Sequence, residues 1–400
     1  MTVPVSSPEP QGADQAPEDL CGGRLTIDRD AIAANWAYLG GRLTAGTECA
    51  ATIKADAYGT GAAGTAKRLA EAGCKTFFVA LPAEGVEVRK VLPDAVIYIL
   101  GGLFPGCAET YASANLRPMI GSAPELAEWS AFCKAHGQAL ETGLHVDTGM
   151  NRLGFRPDEF SSLLRDRDLT GPITASLLIT HLACGSDPDH PANRRQLEIF
   201  RGATDPFKHI PRSMANSAGV FLGPEYHFDL ARPGISLYGG KAIDTQPNPM
   251  RPVAMIEARV MQVRTVPSGE TVGYGCTETA KERPRRVAMV AAGYADGLHR
   301  RASSSDERPG GFAWASGHRL PLIGRISMDM LALDITNTPE GLIERGSFVE
   351  MLGPNVAASD LAAYAETIDY EYLTGLGRRY HRRYQALPDA DPAAHAAVLA

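Results

Sequence analysis

From residue 24 onward, short apolar runs alternate with longer segments whose apolar positions recur every three or four residues. Short runs of this kind suit strands covered on both faces, and the amphipathic stretches suit helices laid against a sheet. Such an alternation predicts βα units and parallel strands. Eight runs qualify as strands, at residues 49–54, 76–81, 95–100, 117–120, 140–147, 173–181, 212–217 and 228–232. A helix is expected over residues 28–43 with Asp28 as its N-cap, and others over 63–72, 84–92, 123–136, 157–167 and 193–203. Eight strands each followed by a helix close into a (β/α)8, TIM-like barrel.

After the linker-like Asp244-Thr-Gln-Pro-Asn-Pro the texture changes. Residues 253–266, 286–292, 318–323, 330–335 and 348–352 are β-rich, with Pro and Gly turns between them and no long amphipathic helix. A mainly β C-terminal domain is therefore expected, ending in a helix-like stretch over residues 359–384. The expected organisation is a disordered tail over residues 1–22, the barrel over 23–250, the β domain over 251–386 and a flexible tail over 387–400. The basic run Arg378-Arg-Tyr-His-Arg-Arg383 reads as a solvated helix face.

The polar residues that interrupt the apolar runs fall near the carboxyl ends of five strands: Lys54, His145 with Asp147, His181, Asn216 with Ser217, and Arg232. In a barrel those ends share one mouth, where the chemistry sits. Any one of them alone is an ordinary solvated strand end, and a lysine there commonly snorkels to water. An amine desolvated at the end of an apolar run, however, loses basicity. Once partly neutral it forms a Schiff base with an aldehyde such as pyridoxal phosphate.

The chain of 400 residues carries a formal net charge of -7 with both signs dispersed, which argues against a nucleic-acid surface and points to a small-molecule partner. Its 7 cysteines are scattered without a close pair, so neither a zinc site nor a disulfide framework is suggested. A reducing, cytoplasmic setting is expected. The N-terminal residues lack the basic start and apolar run of a signal peptide, and no stretch has the length and apolarity of a membrane-spanning helix.

Several motifs occur in a fixed order: Lys54-Ala-Asp-Ala-Tyr58-Gly, His145-Val-Asp-Thr-Gly-Met-Asn-Arg152-Leu-Gly-Phe, Thr180-His181-Leu, Ala215-Asn216-Ser217-Ala, Arg232-Pro-Gly234-Ile235-Ser-Leu-Tyr238-Gly, Val272-Gly-Tyr274-Gly, Gly293-Tyr294-Ala-Asp296-Gly and Gly324-Arg-Ile-Ser-Met328-Asp329. Together, over roughly residues 24–384, they resemble the alanine racemases, the barrel-type (fold type III) pyridoxal phosphate enzymes with a C-terminal β domain. The resemblance implies an isomerase that interconverts L- and D-alanine with pyridoxal 5'-phosphate and supplies D-alanine for peptidoglycan. Lys54 and Tyr274 are then the catalytic bases, one on each face of the substrate, with Tyr274 delivered by the partner subunit of a homodimer. Tyr58, Ser217, the Gly234 and Ile235 amides and Tyr370 hold the phosphate, His181 lies against the pyridine ring, and Arg232 meets the ring nitrogen. Arg152 and the Met328 amide face the substrate carboxylate, and Tyr294 and Asp329 line its entrance.

One position departs from the family. Many members have a lysine, carbamylated to orient the arginine corresponding to Arg152, where this chain has His145. Asp147, a bound anion or water is then left to hold Arg152. Alternatives to alanine racemisation are a racemase for serine, lysine or arginine, a related barrel-type decarboxylase, and a non-catalytic pyridoxal phosphate-binding protein.

Overall fold

Runs rich in aromatic and β-branched residues form the innermost strands: all four residues of Thr76–Val79 are buried, as are three of four in Val96–Ile99. The computed structural model describes residues 15–391 and Ala394. Most of the two expected tails, residues 1–14, 392–393 and 395–400, lies outside the described residues. The adjoining parts are tied down. Glu18–Leu20 forms a 3-10 turn whose Glu18 carboxylate pairs with Arg24 at 3.3 Å and with Arg383, and the Leu387 N–H donates to Asp28 Oδ2 at 3.0 Å.

The chain divides into two units, one of Ile32–Met250 and the other of the described residues up to Ala31 with those from Arg251 onward. In the first, Ala51–Thr52, Thr76–Val79, Val96–Ile99, Arg117–Ile120, Leu140–His145, Ile173–Ile179 and Arg212–Ser213 form a parallel sheet in chain order. Closure comes from Leu230–Ala231, which pairs in parallel with Glu48–Cys49 and is joined to the preceding strand through Arg232 N–H to Ala215 O at 2.8 Å. This is the (β/α)8 barrel. Its interior is packed by Ala50, Phe78, Tyr98, Met119, Leu177, Ile179 and Leu230, with Phe78 and Tyr98 stacked at 5.1 Å. Helices Ala62–Glu71, Pro82–Val91, Ala123–His136 and Pro191–Thr204 return the chain between strands. Five strands stop two to four residues short of their expected ends. Lys54, Asp147, His181, Asn216, Ser217 and Arg232 thus sit just beyond the ladders, while His145 is the last paired residue of its strand.

In the second unit the sheet runs His318–Pro321, Phe312–Ala315, Phe348–Leu352, Ala254–Val266, Gly23–Ile27, His381–Tyr384, and Arg285–Val290 and Leu331–Asp334 extend from Ala254–Val266. Two expectations are corrected here. Residues 23–27, assigned to the barrel from sequence, pair antiparallel with the start of Ala254–Val266 and parallel with His381–Tyr384. A Cβ on Gly23 would stand 2.6 Å from Glu257 O, so glycine is what permits that approach. The basic run is not a helix face either. Its second half is the edge strand His381–Tyr384, where Arg383 pairs with Glu18. Cations suit an unpaired sheet edge.

Candidate active site

The strand Ala51–Thr52 gives way at Ile53 to a turn of unusual hand. Ala55, Asp56, Ala57 and Tyr58 all have φ between 52° and 54°. Left-handed backbone costs roughly 1–2 kcal/mol per non-glycine residue, so the four together require roughly 4–8 kcal/mol of support. Glu84 supplies part of it: Oε1 accepts the Ala55 N–H at 2.6 Å, and Oε2 accepts those of Ala80 and Leu81 at 2.8 and 3.0 Å. Asp56 Oδ1 accepts the Ala62 N–H at 2.7 Å, and the buried Tyr58 ring stacks on Tyr238 at 4.5 Å. Strain held this firmly is characteristic of a working site. Lys54 stands at its start, half-buried, and burial followed by the Arg152 charge lowers the basicity of its amine against an opposing pull from Glu84.

Around the same mouth lie the other strand-end groups. His145 is buried and held neutral, pushed down to about 4 by burial and by Arg232, with Asp147 opposing. His181 is pushed down to about 3 by burial and then by Arg232 and Arg152. Arg232 is itself buried at 4% exposure. It donates to Ser213 Oγ and to Thr180 O, the latter at 2.7 Å, and lies 5.8 Å from the Phe78 ring centre. Among the described residues it has no carboxylate partner, and burial lowers its affinity for a proton to about 10. A guanidinium in that state remains a donor.

Next along the chain from Arg232 is a cradle of neutral donors. Ser217 Oγ accepts the N–H groups of Gly234 at 2.9 Å and Ser236 at 3.2 Å, and Ile235 is buried between them. A Cβ on Gly234 would stand 2.5 Å from Tyr58 Oη, so the loop lies directly against that hydroxyl. Converging hydroxyls and amides suit a phosphate dianion.

Arg152 is exposed and makes no ion pair among the described residues. Asp147 does not pair with it: its Oδ1 instead accepts the N–H groups of Gly149, Met150 and Asn151 at 2.9–3.1 Å.

The remaining expected site residues belong to the β unit. Tyr274 begins a 3-10 turn between Gly273 and Gly275, each at φ 76°, and is 71% exposed. With Arg325, Ser327 and Asp329 it lines a cavity of about 460 Å³ floored by Val272, Ile323 and Leu331. The Tyr294 N–H donates to Ser327 O at 3.0 Å, which joins the Tyr294 turn to the one carrying Met328 and Asp329. Tyr370 is partly exposed on the short helix Asp369–Thr374.

Residues 27–242 match the model of the alanine racemase N-terminal domain, and residues 253–384 that of the C-terminal domain. The chain belongs to the alanine racemase family. It is 45% identical to an alanine racemase of Rhizobium meliloti over 92% of this chain and 99% of that relative. A catabolic alanine racemase of Agrobacterium fabrum is also 45% identical, over 90% of this chain and 92% of the relative. Among solved structures, alanine racemase from Bartonella henselae with covalently bound pyridoxal phosphate superposes with a TM-score of 0.85 at 36% identity, covering 91% of this chain and 99% of that one. Set within an alanine racemase, Glu84 is a support that motif reading passed over, and Thr180 was quoted in a motif without a role. Glu84 left a trace, three residues after Leu81 at a helix start, where a carboxylate closes half a capping box.

Proposed function

We propose that the chain racemises alanine with pyridoxal 5'-phosphate, using Lys54 on one face of the substrate and Tyr274 of a second copy on the other. The observation that carries this is the pairing, at one barrel mouth, of a desolvated lysine with a buried arginine that has no carboxylate partner among the described residues. The residues present fit the cofactor: an amine of lowered basicity for the aldehyde, and a neutral cradle at Tyr58, Ser217, Gly234 and Ile235 for the phosphate; we assign Tyr370 to the phosphate as well. Bound there, pyridoxal phosphate would supply the electron withdrawal that makes an amino acid's α-proton acidic.

The chain's own groups then decide the outcome. Arg232 would meet the ring nitrogen as a hydrogen-bond donor only, which would moderate the electron withdrawal. Moderation limits side reactions and favours return of the proton. His181, kept neutral, would lie along the ring without adding charge. Lys54 takes or returns the α-proton on its face, and the Tyr274 phenol does so on the other, which inverts the centre without a large movement of either base. Arg152 and the Met328 N–H orient the carboxylate, and Tyr294 and Asp329 line the approach. A large exposed tyrosine on a partly apolar cavity is well suited to being covered by a partner, so we take the active form to be a homodimer with shared sites. Among the described residues no helix is long and apolar enough to cross a membrane. We place the enzyme in the cytoplasm, supplying D-alanine for peptidoglycan.

Racemisation of L-alanine beside serine, lysine and arginine, with Lys54→Ala and Tyr274→Phe as controls, tests this. Alanine is expected to be the preferred substrate. Lys54→Ala loses the absorbance of bound aldehyde, and Tyr274→Phe keeps it but loses proton abstraction from one enantiomer selectively. Racemisation by Lys54→Ala without added amine would overturn the assignment.

A further inference from the structure

Three loops of the β unit meet backbone to backbone around one buried carboxylate. Asp296 is 3% exposed, and its Oδ2 accepts the Gly293 N–H at 2.9 Å. A Cβ on Gly293 would stand 2.3 Å from both Ser327 O and Met328 O, one on Gly297 2.2 Å from Gly375 O, and one on Gly377 2.9 Å from Asp296 itself. No side chain fits between these loops. They carry Tyr294, Met328 with Asp329, and the basic run after the Asp369–Thr374 helix.

Arg379 joins all three. Its Nε lies 2.9 Å from Asp296 Oδ1, and its Nη1 donates to Asp329 Oδ1 at 2.6 Å. Between them, the Ser327–Met330 turn is closed by Ser327 N–H to Met330 O at 2.9 Å and held from behind by Ala295 N–H to Met328 O at 3.1 Å. Among the described residues the N–H groups of Met328 and Asp329 donate to nothing, and Met328 is 52% exposed. Two consecutive unused N–H groups on a fixed turn form a receptor for an anion such as a carboxylate.

We infer that Arg379 is a positioning residue, clamping Asp329 to buried Asp296 so that the Met328 N–H is held ready for the substrate carboxylate. The inference rests on the proposed role of Met328. Arg379 is half-exposed, so its charge alone contributes little. Its effect comes from the forked geometry, in which one planar group satisfies two carboxylates at fixed separation. A lysine reaches one of them at a time.

The test uses the holoenzyme. In Arg379→Gln, KM for L-alanine is expected to rise about 10-fold with kcat within about 3-fold, the pattern of lost ground-state binding. The inhibition constant of propionate, which keeps the carboxylate and methyl group but lacks the amine, rises by the same factor, while the cofactor absorbance is unchanged. Arg379→Lys recovers part of the loss. Asp329→Asn gives a smaller rise and adds nothing in the Arg379→Gln background, and it decides the question alone if Arg379→Gln fails to fold. A fall in thermal stability with unchanged KM and propionate affinity would show a purely structural clamp and overturn the inference, leaving the proposed function intact. Failure of the unaltered enzyme to racemise alanine would overturn the function itself.

Discussion

Gly234→Ala probes the cradle at its tightest point. The cost is steric: the new Cβ would lie 2.5 Å from Tyr58 Oη and 3.3 Å from Cζ. Tyr58 cannot swing away freely, because it is buried against Tyr238, whose own hydroxyl donates to Thr52 O at 3.0 Å. Overpacking of this kind costs about 1–3 kcal/mol, which lowers the melting temperature by roughly 2–10 °C. It also displaces a hydroxyl expected to meet the phosphate, and loss of one such hydrogen bond weakens cofactor affinity about 10-fold. Tyr58→Phe removes the clashing oxygen and leaves the 3.3 Å contact, so most of the stability loss should disappear in the double variant, while cofactor affinity stays low in all three. Thermal denaturation of the apoprotein and absorbance titration with pyridoxal phosphate measure the two quantities separately. Gly234→Ala with unaltered stability and affinity, or a stability loss that is undiminished in the Tyr58→Phe background, would refute the reasoning.

Acid should destabilise the barrel through its two neutral histidines. His145 and His181 take up protons only near pH 4 and 3 when folded, against about 6.5 in the unfolded chain. The unfolded state therefore binds more protons as the pH falls below about 6.5, and stability that is complete above that value is lost progressively towards pH 4. Melting temperatures measured from pH 7.5 to 5 should fall, and less steeply in His145→Asn; a flat profile contradicts the assignment. Glu84→Ala removes the acceptor for three N–H groups beside the left-handed turn. It should destabilise the apoprotein by about 1–3 kcal/mol and weaken cofactor binding together with it. Unchanged urea denaturation would show that the turn is held elsewhere.

Much of this was legible from the chain because barrel strands are short apolar runs and their functional ends are polar. Lys54, His145, His181, Ser217 and Arg232 each broke an apolar run, and the break itself was the signal. Except at His145, which its strand does include, the expected strands ran on past the observed ladders, since apolar patterning does not show where hydrogen-bond pairing stops. The segment Gly23–Ile27 was counted within the barrel and not read as a strand, and so short a run carries no signal of which sheet it joins. The left-handed turn left no trace, because Ala-Asp-Ala-Tyr contains no glycine to announce positive φ and its support comes from Glu84, distant in sequence. Arg379 was hidden inside a basic run that resembled a solvated face, and only the buried Asp296 gives that one arginine a distinct role.

In the proposed enzyme, Lys54 of one subunit and Tyr274 of another complete a single racemising site. Mixing Lys54→Ala with Tyr274→Phe after reversible dissociation, and following the loss of optical rotation of L-alanine, tests it most directly. Each variant alone should be nearly inactive. In a mixed dimer one site keeps both bases and the other keeps neither, so random reassortment should restore about a quarter of the activity of the unaltered enzyme. A mixture no more active than its components, although exchange of subunits is demonstrated, would contradict the account.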